Sequence, residues 1–197
     1  MSPMTRRFNL TSSRARLVSV NLLVAVACGT AAVLGGLFTF GHLNVAWPAA
    51  GVSLAVVFLL GPGILPGVAL GAFAGELWLI GFSGAAVAIA VGYAAEAAFA
   101  GWLVRRLKLD VAGPRMLDVV GGLFVTVVAP LPAAVIGTSA MLLGGGHTGA
   151  EFARKLASWW IGDSVGILVF APLMLGLGLS VRYVSLSRVG QIGRAHV

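Results

Sequence analysis

The sequence predicts an all-helical bundle that crosses a membrane about six times. Hydrophobic residues make up 59% of the 197 residues, charged residues only 10%, and the mean hydropathy is +1.01. A water-soluble domain of this length could not cover its surface with so few charges. The apolar residues also form runs of about 20, the length at which a helix crosses a bilayer. We therefore predict an integral membrane protein.

Each predicted span is an apolar run that ends at charged residues or at glycine and proline. The run over residues 47–80 is too long for one helix, and GPGILPG interrupts it. Pro62 lacks an amide donor, and Gly61 and Gly63 favour a turn, so we divide the run there. The predicted spans are residues 17–40, 47–60, 64–80, 84–107, 117–143 and 152–179. They form a membrane domain over 17–180, after a basic N-terminus at 1–16 and before a tail at 181–197.

The basic residues support this division. If the N-terminus is cytoplasmic, six spans place most Arg and Lys residues on the cytoplasmic side, and only Arg154 and Lys155 fall outside. A single span over 47–80 would put the basic cluster at 105–115 on the wrong side. The same rule explains the net charge of +7. Because no basic patch interleaves with aromatic residues, we predict no nucleic-acid binding.

The tryptophans give a second check, because this side chain is enriched at membrane–water interfaces. One of the five, Trp102, lies near a predicted inner end. The other four lie at predicted outer ends: Trp47, Trp78, Trp159 and Trp160.

Two patterns predict how the helices pack. Glycine recurs at every fourth residue of the third span and allows very close helix approach; the ridge is Gly63, Gly67, Gly71 and Gly75. In the fifth span, Pro130 and Pro132 each free a backbone carbonyl at mid-membrane, so the helix should kink or break. Thr126 is placed to bond a freed carbonyl. A mobile crossing or a hinge is the functional alternative to static packing and a fixed kink.

Three carboxylic acids lie within predicted spans: Glu76, Glu96 and Asp163. Such residues are costly at bilayer depth and usually face the bundle interior or a functional cavity. Glu96 and Asp163 lie ~15 Å from the outer ends of their spans, whereas Glu76 is shallower and is expected to reach water in part. No basic residue within the spans can pair with them, so neutral carboxyl groups are expected. Structural hydrogen bonding and ligand or proton sensing are the two alternatives.

No pattern predicts catalysis, a metal site or a cofactor. The single cysteine, Cys28, excludes an intrachain disulfide and a CxxC motif. His42, His147 and Glu151 are all predicted outside, but their spacing fits no metal signature. The loop GGGHTG at 144–149 lacks the Lys–Ser/Thr pair of a phosphate-binding loop. We therefore predict that this chain is not itself an enzyme.

Four blocks of sequence occur in an order that resembles the first type of the MASE (membrane-associated sensor) domains of bacteria. They are WPAAG at 47–51, GPGILPGVALGAF at 61–73, EAAFAGWLVRRL at 96–107 and WWIGDSVGILVFAPL at 159–173. The last block is the most specific, and the resemblance covers roughly residues 44–179. This sequence departs from the family pattern at Ala49, where a second proline is usual. Many members also carry asparagine near the positions of Glu76 and Tyr93.

The resemblance implies the sensory input region of a sensor histidine kinase, as in two-component systems, or of a diguanylate cyclase. Such a region lies in the bacterial inner membrane, surrounded by the lipid bilayer. Its expected partners are a second copy in a homodimer or a partner membrane protein, and an unidentified small ligand. Trp47, Trp159 and Trp160 then join the three acids as candidate sensing or structural anchors. The alternative function is a small transporter or channel that uses Glu96 and Asp163 along a polar path.

Members of this family normally continue with further spans and a cytoplasmic output module. We therefore expect this chain to be an incomplete copy of a larger sensor domain. Residues 192–197, IGRAHV, read like one translated frame of a common sequencing adapter, which indicates a truncated gene. The alternative is an ordinary polar tail.

Overall fold

The computed structural model describes residues 14–40, 43–110, 115–144 and 149–194, and it confirms the all-helical bundle. This part of the chain contains seven α-helices, which are α1 Arg14–Gly35, α2 Pro48–Leu60, α3 Leu65–Ile80, α4 Gly84–Arg106, α5 Met116–Val128, α6 Leu131–Leu143 and α7 Gly149–Arg194. Five segments are long and apolar enough to cross a membrane: Arg14–Phe38, Pro62–Ile80, Gly84–Arg106, Met116–Leu143 and Glu151–Gly178. The last helix, α7, continues through Pro172 without a break. The predicted tail at 181–197 is therefore helical as far as Arg194.

The first helix ends at Gly35, before the predicted end of the first span at residue 40. A short 3₁₀ turn follows, and then a hairpin of two-residue strands, β1 Thr39–Phe40 and β2 Leu43–Asn44. The pair Gly35–Gly36 weakens the helix, because glycine loses more conformational freedom than any other residue. The apolar run over residues 17–40 therefore extends beyond the end of the helix that it predicted.

The second crossing is only partly helical. The 13 residues of α2 span about 20 Å, less than the hydrocarbon core of ~30 Å. The non-helical residues 45–47 precede it and lie against α7. The amide of Asn44 donates to Ser158 Oγ, and that of Trp47 to the Gly162 carbonyl oxygen, both at 2.8 Å. Non-helical backbone is tolerated at membrane depth where protein satisfies its amides, as α7 does here.

The predicted fifth span is broken into α5 and α6 at Ala129–Pro130. The prolines predict this break, because neither Pro130 nor Pro132 can donate to the preceding turn. The expected role of Thr126 is wrong: its hydroxyl donates to the Gly122 carbonyl oxygen at 3.0 Å, one turn back in the same helix.

The indole of Trp160 supports the backbone at this break. Its Nε1 donates to the Val127 carbonyl oxygen at 2.7 Å. In an unbroken helix that carbonyl would accept from Leu131, which here begins α6. A side chain of α7 therefore satisfies a backbone group between α5 and α6.

The glycine ridge of α3 lies against α1. A Cβ atom at Gly71 would lie 2.5 Å from the Ala25 carbonyl oxygen and 2.8 Å from Cys28 Cβ. Gly67 and Gly75 are similarly tight, whereas the atom nearest to a Cβ at Gly63 is 3.7 Å away. The two backbones can approach this closely only because the ridge has no side chains.

Asn21 fixes the same helix pair from α1. Its Oδ1 accepts from the Gly67 amide at 2.7 Å, and its Nδ2 donates to the carbonyl oxygens of Gly63 and Leu17 at 3.2 and 3.0 Å. The Gly67 amide lies in the first turn of α3, where no intrahelical acceptor is available. Asn21 therefore caps a helix to which it does not belong.

The centre of the bundle is α2. Nine of its 13 residues are buried, and it packs against α1, α4 and α7. Because α2 is enclosed by longer helices, the block that begins it, WPAAG, lies inside the bundle.

Candidate functional site

The three membrane acids lie in the interior of the bundle. Glu76 on α3 is 6% exposed, Glu96 on α4 is 2% exposed and Asp163 on α7 is fully buried. The expectation that Glu76 reaches water in part is therefore wrong, because α3 turns the face that carries it inward. The prediction that Glu96 and Asp163 have small neighbours at their packing faces agrees with the buried Gly92, Ala100 and Gly166 nearby.

Glu96 and Asp163 form a pair. Their carboxyl groups come from two different helices and lie close enough for each to influence the charge of the other. All four carboxyl oxygens are buried, and none reaches hydrogen-bond geometry with another group of the described chain. Unsatisfied buried polar atoms are rare in proteins, and each calls for a physical explanation.

A stack of three aromatic rings lies beside this pair. Tyr93 is the middle ring: it stacks on Trp47 at a centroid distance of 6.3 Å and an interplanar angle of 10°, and on Trp159 at 6.1 Å and 40°. Tyr93 precedes Glu96 by three residues and Trp159 precedes Asp163 by four, so rings and acids occupy successive turns. Tyr93 also lies within the electrostatic influence of Glu76, Glu96 and Asp163.

The position of Trp47 in the sequence predicted an interfacial side chain. The structure places this side chain inside the bundle instead. Its side chain is only 6% exposed. The ring covers Gly35, where a Cβ atom would lie 2.5 Å from Trp47 Cε3. By contrast, Trp78 is 77% and Trp102 is 50% exposed, as interfacial side chains would be. The backbone of Trp47 is bound to α7, and this fixes the ring inside the bundle.

Glycines allow the sequence blocks WPAAG and WWIGDSVG to approach each other closely beside the acid pair. A Cβ atom at Gly166 would overlap the Trp47 carbonyl oxygen, and one at Gly51 would overlap the Gly166 carbonyl oxygen. A Cβ atom at Gly162 would lie 2.9 Å from the Asn44 carbonyl oxygen. WPAAG and WWIGDSVG therefore form a single packing unit, and its closeness places Asp163 beside Trp47 and Tyr93.

Only some of the predicted site residues lie close together in the structure. Those that it brings together are Glu76, Glu96, Asp163, Trp47 and Trp159. Trp160 contacts the break at Pro130 and Pro132 instead. The glycine ridge of Gly63, Gly67, Gly71 and Gly75 lies at the α1–α3 contact and takes no part in the acid pair. Whether any of these residues senses a signal stays a prediction.

Sequence reasoning missed Tyr93 as a member of the site. An aromatic residue one turn from a membrane acid is a usable signal, but it cannot show which rings from other helices complete the stack. The contact between Cys28 Sγ and Ser53 Oγ, at 3.5 Å, was missed for the same reason. His42 and His147 lie outside the described residues.

The chemistry of this centre is that of charge and hydrogen bonding. Within the described ranges, no three His, Cys, Asp or Glu side chains are grouped as metal ligands. The indole Nε1 atoms of Trp47 and Trp159 are buried without an acceptor, as the carboxyl oxygens are buried without a donor. A change of charge at this centre would act on the elements that carry it, which are α4, α7 and the Trp47 segment before α2.

Comparison with known proteins adds the family. Neither the curated proteins nor the solved structures contain a significant match. A model of the MASE1 family matches residues 18–178, a range that includes every residue of the site and most of the chain. The chain therefore belongs to the MASE1 family of membrane sensory domains.

Proposed function

We propose that this chain is the input region of a signalling protein in the bacterial inner membrane. It would pass a signal to a cytoplasmic output module of the histidine kinase or diguanylate cyclase type, together with a second copy or a partner membrane protein. The observation that carries the proposal is that α7 holds Asp163 at the buried centre and continues as one helix to Arg194. One helix thus carries the fully buried Asp163 and continues to Arg194.

The physical basis is a pair of buried ionisable groups at a junction of helices. A change of charge at Asp163 would act on Glu96 in α4 and on the Trp47 segment that leads into α2. Because packed interiors change between discrete arrangements and are stiff, a small local change can move a helix as a unit. The signal would then pass along α7, as a displacement or rotation, to the spans and the output module that follow it.

The orientation that we propose, with a cytoplasmic N-terminus, has its own test. After Cys28→Ala, we expect Gly144→Cys to react with a membrane-impermeant maleimide in intact spheroplasts. Arg106→Cys should react only after the membrane is permeabilised. The physical reason is the excess of basic residues on the N-terminal side. The reverse labelling pattern would contradict the cytoplasmic N-terminus.

The function itself is tested with the natural gene. We expect the reading frame beyond the codon for Arg188 to encode further spans and then a kinase or cyclase module. The output of that full-length protein should change when Asp163 or Glu96 is substituted, at matched membrane levels. A stop codon after a few further spans, or an output that ignores both substitutions, would contradict the proposal.

A small transporter or channel is the second candidate, favoured by the three acids that share one interior. In proteoliposomes, such a protein would move protons or sodium ions, and Glu96→Gln would stop the flux. A sensory domain should bind without net transport, so the flux assay separates the two functions.

A further inference from the structure

No basic side chain of the described residues acts on the Glu96–Asp163 pair. The groups that face it are Glu76 from α3, Tyr93 from α4 and Trp159 from α7, and none of them can carry a positive charge. The first of these is itself an acid. Two adjacent carboxylates cannot both ionise in a medium of low dielectric constant unless a positive charge compensates them. The pair therefore has the electrostatics of a cation site.

A second observation, independent of the acids, concerns the ring stack. Trp47 is only 6% exposed, and its indole nitrogen has no acceptor among the described residues. The indole nitrogen of Trp159 is also buried and lies beside Asp163. Indole N–H groups at this place can donate to carboxylate oxygens and so hold them in position around a cation. The stack thus lines one side of the pair with donors that have no other acceptor among the described residues.

Burial limits the size of that occupant. Asp163 is fully buried and Glu96 is 2% exposed, and Glu76, Tyr93 and Trp159 lie around the pair. An organic ammonium ion needs a cavity that opens to water or lipid, and the carboxyl groups are not reached from either. Only a small cation can be enclosed by two carboxyl groups that are buried to this extent.

We propose that Glu96 and Asp163 together bind one small monovalent cation, a proton or Na⁺, between their carboxyl groups. This inference rests on the proposed function for its biological meaning, since the bound cation would be the signal that the domain reads. The site itself can be tested without any output module. Glu76 faces the same centre and would be the next acid along a path to the site.

The experiment uses the full chain, purified in nanodiscs, with two readouts. The first is equilibrium binding of ²²Na⁺. The second is infrared absorption of protonated carboxyl groups, which distinguishes a shared proton from a bound sodium ion. The variants are Glu96→Gln, Asp163→Asn and their combination, with Glu151→Gln as the control for an acid outside the centre. Only monodisperse preparations are compared.

If the occupant is Na⁺, about one ion should bind per chain, and each substitution should reduce binding to background. If it is a proton, one protonated-carboxyl band should be present, and either substitution should move or remove it. The control should change neither readout. If Asp163→Asn does not fold, competition between protons and ²²Na⁺ for the unmodified protein shows which of the two cations is bound.

Three results would overturn the inference. One is the absence of both sodium binding and a protonated-carboxyl band. Another is sodium binding that survives in the double variant. The third is a pair of independent bands, each removed only by its own substitution, which would show two separate neutral acids. Cation binding in vitro without any effect on output would leave the site established and contradict the proposed function alone.

Discussion

Alanine at Gly166 is expected to prevent α2 from docking on α7. The added Cβ atom would overlap the Trp47 carbonyl oxygen, which belongs to the backbone and cannot rotate away as a side chain could. Overpacking of a tight core typically costs about 1–3 kcal/mol, and contact with rigid backbone lies at the upper end. We expect a marked loss of monodisperse protein after extraction and a lower unfolding temperature for what remains.

The matched control is Gly122→Ala in α5. This glycine is also helical, but nothing lies within 4 Å of a Cβ atom placed there. Alanine has a higher helix propensity than glycine, so stability should stay equal or rise slightly. Equal unfolding temperatures for the two variants would contradict the close contact between WPAAG and WWIGDSVG.

Asp163→Leu is expected to destabilise the bundle, whereas Asp163→Asn should fold. Asparagine keeps the size of the side chain and its capacity for hydrogen bonds. Leucine removes them and takes away the polar group that faces the buried Glu96, which costs roughly 1–3 kcal/mol. Thermal unfolding of purified protein at matched concentration measures the difference.

The same two variants separate an anchor from a sensor. If Asp163 only orders helix contacts, the full-length protein with Asn should signal normally. If its charge or its bound cation is the signal, Asn should abolish signalling while expression and unfolding temperature stay normal. Normal stability and normal output in Asp163→Leu would contradict both roles.

The sequence predicted most of what local signals determine. Apolar runs mark the spans because every backbone group in lipid must be satisfied within a helix. Pro130 and Gly61 mark a break and a turn because each acts on its own backbone. The inward direction of Glu96 and Asp163 also followed from local information, since their small neighbours lie one turn away on the same helix face.

Features that depend on two distant elements could not be predicted. Trp47 has the position of an interfacial tryptophan, but it is buried because Gly35 leaves room for its ring and Gly166 for its backbone. The cap that Asn21 provides to α3 likewise joins residues 46 positions apart. The end of α1 at Gly35 was missed because the apolar run hides a change from helix to hairpin.

The uninterrupted course of α7 has a consequence for whatever follows it. A helix rises only about 1.5 Å per residue but turns by about 100°. One inserted residue would therefore hardly alter the distance from Asp163 to an attached domain, yet it would swing that domain through more than a quarter of a circle. Seven residues return the direction to within about 20°. Natural variation in the length of this helix would therefore have to preserve the direction of the attached domain more than its distance from Asp163.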